Sequence, residues 1–247
     1  DREMSLKHLL LAAISTATVA FAASADTYNG NGATGFGGPL GNGSLTITND
    51  ASNLYFTFNT GANNNDFLVV HIDSVAGGLT STAGVDDFGD QNRGAISAGL
   101  AVNYPPSTAM DYAISTPGAG TNSNFAGLWQ LASPVGNNGL PFGAVANIGG
   151  TQNATTFNIP LASIGLGSGG TFQFVATYAA GSGYLSNESI PGSTTIVDPN
   201  DGSAAPNAGN GGSVNFTIAS SYNAVVPEPT TVGALAIGGL LLARRRK

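Results

Sequence analysis

The chain contains no cysteine. Disulfides, thiolate catalysis and Cys-type zinc sites are therefore excluded, and whatever holds the folded chain together must come from its core. Bases are nearly absent from its interior. Six of the seven Lys and Arg residues lie at the ends, as Arg2, Lys7, Arg244, Arg245, Arg246 and Lys247, which leaves Arg93 alone in between. Nucleic-acid binding needs Lys and Arg to displace counterions, so that partner class is excluded as well. Tryptophan occurs once, at Trp129, and histidine once outside the N-terminal segment, at His71. The catalytic signatures G-x-S-x-G, H-E-x-x-H and the Gly-Lys-Ser/Thr of a phosphate loop are all missing.

Glycine, at 36 of 247 residues, is abundant, and Asn, Ser and Thr are plentiful, while charged residues make up only 9%. That composition suits short strands joined by many turns; a disordered chain would be far more charged. Between Asp26 and Val226 eleven carboxylates face the single Arg93, a net charge of −10. Such a field favours solubility and attracts divalent cations.

The N-terminus has the layout of a secretory signal. Met4 is the expected start, with Lys7 and His8 as a short basic region, and Leu9 to Phe21 follow as an apolar run too short to span a membrane comfortably. Ala23-Ser24-Ala25 is an A-x-A cleavage site, which places the mature start near Asp26. At the other end stand Pro227-Glu228-Pro229, then an apolar run to Ala243, then Arg244-Arg245-Arg246-Lys247. The prolines prevent a helix from extending back into the body. The run from Thr230 to Ala243 reaches ~21 Å as a helix at ~1.5 Å per residue, against a hydrocarbon core of ~30 Å. A marginal span ending in bases keeps the tip cytoplasmic and the body on the outer side.

This tripartite tail, Val226 to Lys247, resembles the PEP-CTERM sorting signal of environmental Gram-negative bacteria. The resemblance implies that the Pro-Glu-Pro motif is read by a membrane processing enzyme, exosortase. The tail is then removed and the body released or attached to surface material. The expected organisation is a signal peptide over 1–25, a body over 26–226 and a sorting and anchor segment over 226–247.

Within the body, period-2 alternation recurs. Leu54, Phe56 and Phe58 alternate with Tyr55 and Thr57; similar patterns run through Phe157 to Leu161, Phe172 to Tyr178, Ser213 to Ile218 and from Leu45. Phe67 to Ile72 is apolar on both faces and reads as a central strand. Ala95 to Tyr104, Met110 to Ser115, Phe125 to Ala132 and Ala144 to Ile148 are weaker strand candidates, and the Gly-rich stretch Gly30 to Gly43 reads as a flexible lead-in. About ten strands with turn-rich connections predict an all-β, antiparallel, jelly-roll-like sandwich. A signal helix and a C-terminal hydrophobic helix would flank it. Two segments, Asp66 to Gly78 and Thr156 to Ser186, resemble the carbohydrate-binding sandwiches of family 9 and DOMON-like type. That likeness implies a glycan-binding role for the body.

Two acidic loops offer oxygen donors suited to Ca²⁺: Asp86, Asp87 and Asp90 beside Gly89, and Asp198, Asn200 and Asp201 before Gly202. The same residues are standard turn formers, and neither loop has EF-hand spacing. No other cofactor is expected. His71 reads as a packed or surface strand residue and Trp129 as a core aromatic or, if exposed, a sugar-stacking one. The expected function is an exported, non-enzymatic surface or matrix protein. Its partners are the secretion machinery, an exosortase-type enzyme and extracellular polysaccharide. The alternative is a secreted glycan hydrolase using an Asp pair.

Overall fold

A computed structural model describes residues 25–97, 101–123, 125–131, 140, 155–167, 169–192, 194–197 and 213–226. All but Val226 belong to one compact unit, Ser24–Val225. The signal and tail segments, the expected strand Ala144 to Ile148 and the second acidic loop lie outside the described residues, apart from Ala25 and Val226. No helix among the described residues is long and apolar enough to cross a membrane.

The alternating segments become strands of two antiparallel sheets, except Ser213 to Ile218, of which Ser213–Phe216 joins a third, smaller sheet and Ile218 stays exposed outside the strand. The first sheet is ordered β1 (Ala25–Asn29), β2 (Ser44–Asn49), β3 (Asn53–Asn59) and β8 (Thr156–Pro160). Its inward residues, Leu45, Ile47, Leu54, Phe56, Phe58, Phe157 and Ile159, are all buried, and the residues between them face outward, as a two-residue period requires. Phe56 and Phe157 stack across the β3–β8 pair with ring centroids 4.9 Å apart.

The second sheet runs β10 (Leu185–Ile190), β9 (Gly170–Ala179), β4 (Phe67–Asp73), β6 (Tyr112–Pro117) and β7 (Gly127–Gln130). A further strand, β13 (Ser220–Ala224), pairs with the first half of β9. The two sheets face each other. The Tyr28 ring meets Phe174 edge-on at 4.8 Å, and the Tyr222 hydroxyl donates to Asn49 Oδ1 at 2.8 Å. The expected antiparallel sandwich is therefore present.

The central strand β4 is buried on both faces, as its unbroken apolar run predicts. Leu68, Val70 and Ile72 look toward the first sheet. Phe67 and Val69 look the other way, into a second cluster that holds Ala113, Trp129, Val175 and Ala179 from neighbouring strands. That outer face needs a cover, and a third layer supplies it. The layer consists of helix α1 (Gln91–Ile96) and a small sheet ordered β11 (Thr194–Val197), β12 (Ser213–Phe216) and β5 (Ala101–Asn103). The β12–β5 pair is parallel. Ile96, Val102, Val214 and Phe216 come from these elements into the cluster. The expected strand Ala95 to Tyr104 is thus corrected: its first part closes α1, and among the described residues of the segment only Ala101–Asn103 is strand. Asp90 explains the helix start, since its carboxylate accepts the Arg93 N–H at 2.9 Å as an N-cap. Trp129 is fully buried and crosses Gly127, where a Cβ would lie 2.5 Å from the indole ring.

His71 is packed, 1% exposed, on the face of β4 that meets the third layer. Its Nδ1 shares a 2.9 Å hydrogen bond with the Tyr104 hydroxyl, and burial pushes its pKa down to about 3. Between pH 6.5 and about 3 the unfolded chain therefore binds a proton that the folded chain refuses. The stability is intact above pH 6.5 and falls by ~1.4 kcal/mol per pH unit below it, about 2 kcal/mol at pH 5. Urea midpoints at pH 7 and pH 5 measure this loss, and His71→Gln should shrink it by about that amount. An equal loss in wild type and variant would place the titrating group elsewhere.

Candidate functional site

Two of the carboxylates singled out in the sequence, Asp87 and Asp90, and several that were not, are engaged within the fold. Asp87 is buried. Its Oδ1 accepts the Gly89 N–H at 3.0 Å, and its Oδ2 accepts the Leu140 N–H at 2.8 Å and lies 3.3 Å from Arg93 Nη1. Asp90 Oδ2 sits 3.1 Å from Arg93 Nε while its Oδ1 caps the helix. Asp86 is exposed. The first acidic loop is thus organised around the one base of the body. Among the described residues no group of three or more metal-ligating side chains converges. Asp198, Asn200, Asp201, Pro227, Glu228, Pro229, Arg244, Arg245, Arg246 and Ala23 lie outside the described residues. Ala25 opens β1 opposite Thr48, so strand pairing begins where the expected cleavage site ends.

Two carboxylates, Asp73 and Asp66, each lie within reach of a second carboxylate's charge. Asp111 is buried and its Oδ2 accepts the N–H groups of Ser74 and Val75, each at 2.9 Å. Nearby Asp73 accepts the Ala109 N–H at 3.1 Å. Burial holds the Asp73 carboxyl above its usual range; the Ala109 bond opposes this and the Asp111 charge adds to it. These acids fasten the turn after β4 to the start of β6. The second pair is Asp66 with Glu188. Asp66 is half-buried, and its carboxyl is raised chiefly by that burial and then by the Glu188 charge.

Glu188 is the single Glu of the body, and reading the sequence assigned it no role. It is 1% exposed, and among the described residues no base lies beside it, since Arg93 is engaged with Asp87 and Asp90. Its Oε1 accepts the N–H groups of Phe36 at 2.8 Å and Gly38 at 3.1 Å, plus the Ser186 hydroxyl at 3.1 Å. Its Oε2 accepts those of Leu40 at 2.8 Å and Gly41 at 3.0 Å. Four backbone dipoles and a hydroxyl replace the cation and water that a buried carboxylate otherwise requires.

The stretch Gly30 to Gly43 is therefore no flexible lead-in. It is a strap laid along β10, also bonded through Asn31 N–H to Ser189 O at 3.1 Å and through Gly35 N–H to Asn187 Oδ1 at 2.9 Å. It covers a sheet edge that would otherwise present open backbone groups. Its glycines have specific work. Gly38 lies at φ +94°, and a Cβ on Gly41 would fall 1.9 Å from Ala33 O. The available signals were a single Glu in an Asp-rich body and an unusually Gly-rich run. Neither reveals a contact spanning about 150 residues of sequence.

Glu188→Gln keeps the side-chain shape but turns an NH₂ toward donors. About two buried N–H groups lose their acceptor, at ~1–3 kcal/mol each. The expected loss is roughly 3 kcal/mol, a melting-point drop on the order of 6–12 °C for a domain of this size. Amide hydrogen exchange at residues 36–41 should accelerate with it. A variant melting within a degree of wild type would mean that the strap does not depend on this carboxylate.

Comparison of the chain with family models, with curated proteins and with solved structures returns no match.

Proposed function

We propose that the chain is an exported, non-enzymatic protein of the cell surface or extracellular matrix, whose β-body is a binding or structural module. The observation that carries this reading is the tail: Pro227-Glu228-Pro229, an uncharged apolar run and a terminal cluster of bases, in that order. A short, Gly-containing apolar segment is a poor permanent anchor and suits a signal that is read and then removed. The A-x-A site at Ala23 and Ala25 supports export. The body fits an exterior setting, with no cysteine, a −10 charge and a stability that rests on core packing and backbone-bonded acids. The non-enzymatic reading draws support from how the acids are used. Asp73, Asp87, Asp90, Asp111 and Glu188 each accept backbone N–H groups, so they act as fasteners of loops. A glycosidase needs one carboxyl poised to donate a proton and a second facing it across the sugar.

The intact mass of the protein recovered from its native host tests the sorting. The expected species begins near Asp26 and lacks Arg244, Arg245, Arg246 and Lys247. A mass that retains both ends would overturn this function.

A further inference from the structure

The outer face of the first sheet has no part in the contacts described so far, and its side chains form an ordered pattern. Thr27 stands opposite Thr46, Thr46 opposite Thr57, and Thr57 opposite Thr156, so one threonine from each of the four strands falls in a single row. The neighbouring row carries Thr48, Tyr55 and Asn158. Strands lie ~4.8 Å apart and outward residues repeat every ~6.7 Å along each strand. The result is a grid of hydroxyl and amide groups. The hydroxyls of Thr27 and Thr46 are 2.9 Å apart, linked across the first strand pair.

Two features of this face point to a ligand class. The first is charge. None of the outward positions of β1, β2, β3 or β8 is ionisable except Tyr55, although the body carries −10 overall. The second is Tyr55 itself, the one aromatic on the face, placed on inner strand β3 and 39% exposed. Its hydroxyl donates to Asp50 Oδ2 at 2.5 Å, and Asp50 Oδ1 is held in turn by the N–H groups of Ser52 and Asn53. The hydroxyl is thereby occupied and the side chain fixed. The ring becomes the group on offer, and little rotamer freedom remains to be lost on binding.

We propose that this face binds an extended, neutral polysaccharide chain, with Tyr55 stacking on a sugar ring and the threonine and asparagine side chains bonding its hydroxyls. A sugar presents an apolar C–H face to an aromatic ring and hydroxyls around its rim. Thr and Asn both donate and accept, as hydroxyl partners demand. The surrounding negative field repels a carboxylated polymer. A broad face of short side chains suits a ribbon-like chain lying across several strands. This inference deepens the proposed function and rests on its binding-module reading.

Affinity electrophoresis of the host-purified protein in native gels containing glucomannan, dextran or alginate tests it. Glucomannan is an extended neutral chain, dextran a flexible neutral one and alginate an extended anionic one. Retardation is expected in glucomannan, weaker retardation in dextran and none in alginate. Tyr55→Ala should weaken the glucomannan affinity roughly tenfold or more, and Thr57→Asp should weaken it similarly by adding charge. Tyr55→Phe keeps the ring and should stay within about threefold of wild type. All three variants are checked to melt near the wild-type temperature, and Tyr28→Phe, whose ring lies between the sheets, serves as a control for indirect effects. Absence of retardation in glucomannan, equal retardation in alginate, or full affinity in Tyr55→Ala would overturn the proposal. A protein exported and trimmed at both ends but indifferent to glucomannan would lose this inference and keep the proposed function.

Discussion

The fold closes around one buried carboxylate. Glu188 sits on an edge strand with no cation beside it among the described residues, and it persists there because four N–H groups of the strap and the Ser186 hydroxyl converge on it. Removing a charge from water costs several kcal/mol unless fixed dipoles replace the water. The strap can supply those dipoles only with a glycine-rich backbone that turns its amides inward. The dependence is mutual: without the strap the carboxylate would lie against apolar sandwich, and without the carboxylate the strap's amides would be buried unsatisfied. This contact joins the first loop of the body to one of its later strands. The edge of the second sheet is covered by the same stroke.

Arg93 repeats this logic on a smaller scale. As the only base of the body it orders the acidic loop before α1, drawing Asp87 and Asp90 inward and fixing where the helix begins. Asp50, Asp73 and Asp111 are held by backbone amides near strand ends, as Asp111 is by Ser74 and Val75. A strongly negative domain with almost no lysine or arginine can bury carboxylates in this way, because peptide N–H groups are available wherever a turn exposes them. Carboxylates used so are locked in place. This is why an acid-rich body supports the reading of a module better than that of a hydrolase.

The three layers give the two sides of the molecule different characters. The second sheet is apolar on both faces and is covered on both, by the first sheet and by the α1 layer. Among the described residues the first sheet is covered on one face only, and its outer face keeps a grid of uncharged polar side chains around Tyr55. A solvated sheet face carrying no lysine or glutamate departs from the usual charged protein surface. That departure gives the binding proposal its place.

Strand positions and the strand buried on both faces were legible in the sequence, because side-chain alternation is a local property with a period of two. Phe67 to Ile72 and Leu54 to Phe58 read correctly for that reason. The proposed export and sorting signals are likewise linear and are read from order and composition alone. Gly30 to Gly43 and Ala95 to Tyr104 read wrongly, because their structure is set from a distance: the strap by a carboxylate far along the chain, the helix by an Asp cap and by the apolar face it must cover. The threonine row was present as alternating polar positions, but only strand register brings Thr27, Thr46, Thr57 and Thr156 into line. Composition and periodicity therefore determined the class of fold. Tertiary pairing decided which acids are buried, which loop is rigid and which face is left open, since each depends on groups meeting that the order of residues does not bring together.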